Sequence, residues 1–312
     1  MKNKTENKPR YLKFIFKITV SIILLIFIFY FVGINKILIQ LKNINIFFLL
    51  IAFIFVFFQI FFKALKWNAV IRMFKKRLDL YHSFVYTTIS LAFGIVTPGR
   101  VGEFIKAKYL VDKTQLKYRT AFVTVIMDKS FDLIAILFIA FIGISALGNI
   151  IRYSEFFMIL FIIFLFILLF LFIYFNSIPK IVSKLLPKKY KLNLKNLRFT
   201  KWLYSKALFY SIIIWSIYVV ESFFIFKALN IENPVISGLM IIVALMALSS
   251  AIPISFGGTG VREIVAVAFL TLFGIEAEKS AIYALLFTFI SFGVPAIIGA
   301  FLYIKEKGTF GK

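Results

Sequence analysis

The sequence contains no cysteine among its 312 residues and a single histidine, His82. Without cysteine, the chain cannot form a disulfide, present a thiol nucleophile or build a thiolate metal site. One histidine cannot assemble a histidine-based metal centre, so His82 is interpreted as an interfacial residue beside a hydrophobic segment. The sequence also has neither a GxSxG nor a Walker-type motif. We therefore expect no metal site, no cofactor and no autonomous enzymatic activity.

Acidic residues are also scarce, since 13 Asp and Glu stand against 37 Lys and Arg, a formal net charge of +24. Such an excess would suit a nucleic-acid-binding protein, but here the cations lie in loops between hydrophobic runs. An anionic lipid surface is therefore the expected partner, and nucleic acid is not. Charged residues make up only 16% of the chain, whereas soluble domains average about 25%.

Long apolar runs dominate the rest of the chain, and the mean hydropathy is +0.98. Many of these runs are long enough to cross a bilayer as helices. The runs lie at 14–34, 45–65, 83–97, 120–147, 154–175, 207–229, 235–256, 261–274 and 280–304. The predicted fold is all-α, a polytopic helical membrane protein that forms a single integral membrane domain over residues 1–312.

Lysine and arginine collect in alternate connecting segments, and this alternation predicts the orientation of the chain. The first residues, the 63–80 loop, the 176–206 loop and the last residues are rich in these cations. We therefore predict a plasma-membrane protein with cytoplasmic tails at 1–13 and 305–312. Between the tails, the membrane bundle at 14–304 carries the basic cytoplasmic loop.

Two interrupted segments, TPGRVGE at 97–103 and GGTGVRE at 257–263, place glycine, arginine and glutamate at membrane depth. Irregular backbone is tolerated there only where it is buried in protein or lines a cavity. The two loops that flank each segment are alike in their content of Lys and Arg, so both are predicted to lie on the same side of the membrane. This predicts a re-entrant or broken-helix hairpin, although a pair of full spans would also return the chain to that side. An odd number of crossings separates the hairpins, so we expect an inverted pseudo-repeat, in which Glu103 aligns with Glu263.

Paired broken helices in opposite-facing halves indicate a transporter site near the bilayer midplane. A helix that begins inside the membrane, with Thr97 or Thr259 as its N-cap, is expected to offer free N–H groups to an anion. The predicted headgroup-binding residues are Arg100, Arg262, Gly99, Gly257 and Gly258. An arginine binds phosphate with two parallel hydrogen bonds. The alternatives for each arginine are a structural pair with a nearby glutamate and an interfacial position.

Five acidic residues are predicted to support this site or to carry a coupling ion. They are Glu103, Glu263, Asp128, Asp132 and Glu221. Each glutamate beside an arginine either pairs with it or carries a coupling proton. The two aspartates are four residues apart on one helical face, which suits a headgroup path or a salt bridge near the cytoplasmic end. Glu221 lies deep in a predicted span, so we expect it to face the bundle interior.

These stretches resemble a known family. PGRVGE at 98–103 and IPISFGGTGVRE at 252–263 are similar to the two signature stretches of the lysylphosphatidylglycerol synthase transmembrane (flippase) family, also called the UPF0104 group. Lys66–Trp67 is similar to the family's Arg-Trp pair, and Asp128–Lys129 to its acidic-Arg pair. In both pairs lysine replaces arginine, which removes a bidentate hydrogen-bonding group. The resemblance extends over residues 12–304.

The resemblance implies a membrane domain that translocates or presents phospholipids, in some members aminoacylated ones. Those members also carry a soluble domain that transfers the aminoacyl group from tRNA, and we expect that enzyme to be absent here because few residues follow 304. The expected function is flippase-like translocation of a phospholipid or lipid-linked headgroup. Two alternatives stay open: a non-catalytic subunit presenting lipid to a separate lipid-modifying transferase, and an ion-coupled small-solute transporter.

Overall fold

The computed structural model describes residues 8–147, 200–232, 235–252, 254–255 and 257–310, and this part of the chain is all-helical, as predicted. Its α-helices are α1 Lys8–Val32, α2 Ile34–Lys42, α3 Ile46–Met73, α4 Leu80–Ile95, α5 Ile105–Thr114, α6 Tyr118–Ala146, α7 Lys201–Ala228, α8 Ile236–Ser250, α9 Val261–Leu272, α10 Ala277–Thr288 and α11 Val294–Phe310. A 3-10 turn at Val101–Phe104 precedes α5, and a π-turn at Phe289–Gly293 joins α10 to α11. The predicted span 154–175 and the loop residues 176–199 lie outside the described residues.

Three of the described helical units are long and apolar enough to cross a membrane: α3, α7 and the continuous α10–α11 unit, Ala277–Glu306. The pair α1–α2, bent by 79°, would be a fourth. α3 contains 28 residues. At about 1.5 Å per residue its length is about 42 Å, which exceeds a hydrocarbon core of about 30 Å.

The helix α3, which corresponds to the second apolar run, is longer than the hydropathy pattern predicts. The apolar run was expected to end at residue 65, with a basic loop following, but α3 continues to Met73. The loop prediction is therefore wrong for its first residues, and Lys66 is buried inside the bundle rather than exposed in a loop. The helix continues because Trp67 and Ile71 supply a buried face beyond the apolar run. Likewise, residues 201–206 of the predicted basic loop begin α7.

The first interrupted segment is a tight turn that stays attached to α4. After α4 ends, Gly99 and Arg100 both adopt left-handed backbone conformations, with φ of 58° and 57°. The predicted N-cap role of Thr97 is wrong, because Arg100 occupies the position before the 3-10 turn. Instead, the Thr97 hydroxyl donates to the Phe93 carbonyl at 2.8 Å and accepts from the Gly102 N–H at 2.7 Å. The hydroxyl therefore ties the turn to the end of α4.

The second interrupted segment joins α8 to α9, which pack against each other. Gly260, with φ of 89°, precedes α9, so the predicted N-cap Thr259 is wrong. The carboxylate of Glu263 accepts from the Gly260 N–H at 2.5 Å and from the Thr288 hydroxyl at 2.6 Å. The first of these hydrogen bonds is one half of a capping box, since Gly260 has no side chain to accept the second bond, and it satisfies the N–H at the start of α9.

The second interrupted segment packs through its backbone against the end of α4, directly before the first segment. A Cβ atom added to Gly257 would lie 2.4 Å from the carbonyl oxygen of Ile95, and Gly257 has φ of 55°. The residue must therefore be glycine for both conformational and steric reasons. The neighbouring Gly258 packs in the same way against Ser250 at the end of α8. The contact shows that the hairpins converge, whereas their inverted pseudo-repeat stays a prediction.

Replacing Gly257 with alanine is expected to destabilise the protein by about 2–5 kcal/mol, since it combines a left-handed backbone with a clash against a backbone atom. Thermal unfolding in detergent measures the effect. Gly274→Ala is a matched control, because Gly274 has φ of 78° but open space around its Cβ position. Gly238→Ala lies within α8 and also meets open space, so it should be neutral or slightly stabilising. Equal losses for Gly257→Ala and Gly274→Ala would show that the contact with Ile95 contributes nothing.

Candidate functional site

A cavity of about 280 Å³ lies between α3, α4, α6, α7, α8 and the first interrupted segment. Its charged lining consists of five cations and three carboxylates: Lys63, Lys66, Arg100, Lys106, Lys129, Glu103, Asp128 and Asp132. Gly99 also lines it, together with Trp215 and Tyr218. The side chains of the lining therefore carry an excess of positive charge. Within the described ranges, no group of three His, Cys, Asp or Glu side chains could hold a metal ion.

Asp128 is the centre of the ionic network on one wall. Its carboxylate contacts the Lys106 ammonium at 2.5 Å and the Lys66 ammonium at 3.1 Å. The Lys66 ammonium also contacts Asp132 Oδ1 at 2.6 Å, and the Lys106 ammonium lies 4.9 Å from the centre of the Trp67 ring. Both lysines and Asp128 are buried, so the partners hold one another in fixed positions. Asp128 lies about 15 Å along α6 from its first residue at 1.5 Å per residue, well inside the helix.

Glu103 is the centre of a second ionic group at the cavity. Its carboxylate pairs with the Lys129 ammonium and lies 2.8 Å from Nε of Arg100, at ion-pair distance but without hydrogen-bond alignment. Gly94 makes room for the glutamate, since an added Cβ would lie 2.6 Å from Glu103 Cγ. Of the two predicted roles of Glu103, the structure has its carboxylate in ion pairs with two cations of the cavity, and the proton-carrying alternative stays a prediction.

The two predicted arginines meet on one aromatic ring. The guanidinium carbon of Arg100 lies 4.8 Å from the centre of the Phe292 ring, and that of Arg262 lies 4.3 Å from it. Arg262 is fully buried, and its Nε and Nη2 have no hydrogen-bond partner in the described part of the chain. Buried donors without a partner are costly and call for an explanation. A transiently bound anion would supply the missing acceptor.

The backbone of the first interrupted segment does not offer the free N–H groups that the sequence suggested. The N–H groups of residues 100, 101 and 103 donate to carbonyl groups within the turn, and that of Gly102 donates to Thr97. The expectation is therefore wrong here, because a 3-10 turn closes its own hydrogen bonds. An anion in this cavity would meet side-chain cations instead. Gly99, Gly257 and Gly258 shape the turns.

Two of the predicted acids lie away from the cavity. Glu263 caps α9 and bonds to the Thr288 hydroxyl, and the described residues show no ion pair between its carboxylate and Arg262. Glu221 is fully buried between α3, α7 and the π-turn. It accepts hydrogen bonds from the Gln59 amide and, at 2.6 Å, from the Ser291 hydroxyl. This matches the predicted inward orientation of Glu221.

The sequence reasoning missed several residues that shape the site: Lys63, Lys106, Trp215, Tyr218 and Phe292. Lys63, Lys66 and Trp67 follow one another at spacings of three and one, which places them on one face of α3. That spacing was a usable signal of an inward-facing polar group. Phe292 carries no local signal, because one phenylalanine among 42 is indistinguishable in sequence.

Comparisons with known proteins show the family of this chain. The family model of the lysylphosphatidylglycerol synthase TM region matches residues 14–299. A UPF0104 membrane protein of Pyrococcus horikoshii is 27% identical in an alignment that covers 96% of this chain and 97% of that protein.

Proposed function

This chain belongs to the lysylphosphatidylglycerol synthase TM region family, and we propose that it binds the anionic headgroup of a membrane phospholipid and moves it between leaflets. In this role it is flippase-like and catalyses no covalent change. The observation that carries the proposal is the cationic cavity, whose five cations face only three carboxylates. A phosphate group compensates this excess, whereas buried charges without partners are strongly unfavourable.

The cations are arranged to suit a phosphate. A guanidinium such as that of Arg100 can bind two phosphate oxygens at once. Lys63 also lines the cavity, and its ammonium donates to the Tyr218 hydroxyl at 2.7 Å rather than to a carboxylate. Lys63 is thus the cavity cation without a carboxylate at ion-pair distance in the described residues. We therefore expect a headgroup phosphate between α3, which carries Lys63, and the first interrupted segment, which carries Arg100.

The rim of the cavity favours a lipid over a water-soluble solute. Lys129 is 37% exposed, and Leu133 and Leu137, which follow it at helical spacing on the same face of α6, are 48% and 37% exposed. A cation at the entrance followed by an apolar exposed stripe suits a headgroup whose acyl chains stay in the bilayer.

The two arginines on Phe292 provide successive positions for the phosphate. Arg100 lines the cavity, and the buried Arg262 lies beyond it, with donors that lack acceptors. A headgroup that moves from the first guanidinium to the second passes from the first interrupted segment to the second. The two positions lie close together, because both guanidinium groups contact the Phe292 ring and Gly257 packs against Ile95 at the end of α4.

Reconstitution into liposomes that contain fluorescent phospholipids of defined headgroup tests the proposal. We expect leaflet exchange, faster for anionic headgroups, and a several-fold loss in Lys129→Gln at the rim. Lys36→Gln is the matched control, because Lys36 is an exposed cation paired with Glu278 away from the cavity. Binding of anionic lipid without exchange would instead support presentation to a separate transferase. Absence of both binding and exchange would contradict any lipid role for the cavity.

A further inference from the structure

Glu221 is a fully buried carboxyl group that the lipid site does not use. Its neighbours are neutral, since the Gln59 amide and the Ser291 hydroxyl are its hydrogen-bond partners. In the described residues it has no ion-pair partner. Of the other buried carboxyl groups in the described residues, Glu103 and Asp128 each have two cationic partners, and Glu263 caps α9 through the Gly260 N–H. Glu221 differs from the first two by its neutral partners. It differs from Glu263 because both of its partners are side chains that can donate or accept, whereas a backbone N–H can only donate.

The two partners of Glu221 suit both of its charge states. A carboxamide and a hydroxyl can each donate or accept a hydrogen bond. They can stabilise the carboxylate as donors, and either can accept from the neutral acid after a rotation of its own polar group. The oxygen of the Gln59 amide, Oε1, is buried without a partner in the described residues, so a rotated amide can present it as an acceptor. The site can therefore gain or lose a proton without moving a helix.

Charged and titratable groups face this site from the elements packed on α7. From α3, Lys63 lies one turn from Gln59 and donates to the Tyr218 hydroxyl, which lies one turn from Glu221 on α7 itself. From α10, the Tyr283 hydroxyl bonds to Ser222. These tyrosines and Lys63 are the titratable groups that α3, α7 and α10 bring to the surroundings of Glu221.

The remaining neighbours of α7 are more distant or lack titratable groups. On α6, Asp132 accepts from the Trp215 indole at 3.4 Å and pairs with Lys66. The other charged residues of that region, Asp128 and Lys129, belong to the ionic groups of the cavity. The sequence of α8, Ile236–Ser250, contains no titratable residue. Lys63 and Tyr218 also line the cavity, so they connect the surroundings of Glu221 to water that enters the cavity.

The π-turn links Glu221 to both arginines. Ser291, which donates to Glu221, is followed directly by Phe292, whose ring carries both Arg100 and Arg262. The same ring stacks on Tyr218 with 6.2 Å between centroids. π-turns interrupt regular helices and frequently occur at functional sites. A change in the hydrogen bond of Ser291 is therefore transmitted to the aromatic ring between the two phosphate positions.

We propose that Glu221 is a proton-binding site that couples lipid movement to a proton gradient through the π-turn. This inference rests on the proposed function. The neutral acid releases its proton to cavity water past Tyr218 and Lys63, leaving a carboxylate held by Gln59 and Ser291, and reprotonation restores the acid. An anionic headgroup in the cavity repels the carboxylate, so headgroup binding and proton binding favour each other. The proton and the anionic lipid consequently move together.

Infrared difference spectroscopy tests the proton site without any transport. In the parent protein we expect the infrared signal of a protonated carboxyl group that titrates with pH. This signal should grow when phosphatidylglycerol is added and should be missing in Glu221→Gln. Glu278→Gln is the matched control, since Glu278 pairs with the exposed Lys36 at the start of α10 and should leave the signal unchanged. Ser291→Ala should shift the signal without removing it, which also verifies that the site remains folded. An unchanged signal in Glu221→Gln would overturn the proposal.

Leaflet exchange under an imposed pH gradient tests the coupling. One proton per cycle limits the response of the parent to about tenfold in rate per pH unit. Glu221→Gln should lose this response, and Phe292→Leu should lose it while keeping the carboxyl signal. A gradient response that survives in Glu221→Gln would overturn the coupling and leave the lipid role intact. If the parent moves no lipid under any gradient, the proposed function and the coupling both fail.

Discussion

Alanine at both Arg100 and Arg262 is expected to reduce lipid movement by about 100-fold or more, since each charged hydrogen-bonding group contributes about 1.5–3 kcal/mol. The fold should persist, because Glu103 keeps Lys129 as a partner. Replacing Arg262 also removes buried donors that have no acceptor in the described residues. Leaflet exchange in liposomes measures the rate. Circular dichroism and thermal unfolding confirm that the variant is folded.

Single substitutions separate the charge of each arginine from its geometry. Arg100→Lys and Arg262→Lys keep the positive charge but lose the planar group that binds two oxygens, so each should lie between the parent and the corresponding alanine variant. Alanine at both Arg72 and Arg77 is the matched control, since it removes the same charge from exposed positions outside the cavity. A double variant at the cavity that moves lipid at the parent rate would end the shared-site model.

Asp128→Ala is expected to destabilise the protein by about 3–5 kcal/mol, the usual effect of removing one partner of a buried ion pair. The substitution leaves the ammonium of Lys106 without a carboxylate at ion-pair distance in the described residues, and Lys66 with Asp132 alone. Thermal unfolding in detergent measures the loss. Asp132→Ala should have a smaller effect, because Asp128 remains with both lysines.

Compensating substitutions show whether the loss comes from the unpaired charge. Adding Lys106→Met to Asp128→Ala removes one stranded cation and should recover part of the lost stability, a coupling that a double-mutant cycle quantifies. Asp112→Ala is the control for an exposed acid nearby on α5. If Asp128→Ala were no more destabilising than this control, the ionic network would be held by other contacts.

The sequence predicts the fold class and the placement of the breaks in physical terms. Apolar runs near the thickness of a bilayer require helices, because every backbone polar group in lipid must be satisfied internally. Pro98 and the glycines at 257 and 258 interrupt such runs, and the structure has turns at both places. The sequence also predicted that the two arginine-bearing segments meet, because paired broken helices indicate a shared site, and both arginines contact Phe292 in the structure.

Only the tertiary structure decided which polar groups face one another. Lys66 reads as a loop cation in sequence, yet α3 continues and buries it against Asp128. Glu263 reads as a partner for an arginine, yet it caps its own helix and bonds to a threonine of α10. Periodicity and composition depend on neighbours in the chain, whereas these partners come from other helices. Their selection depends on packing distances that no local pattern contains.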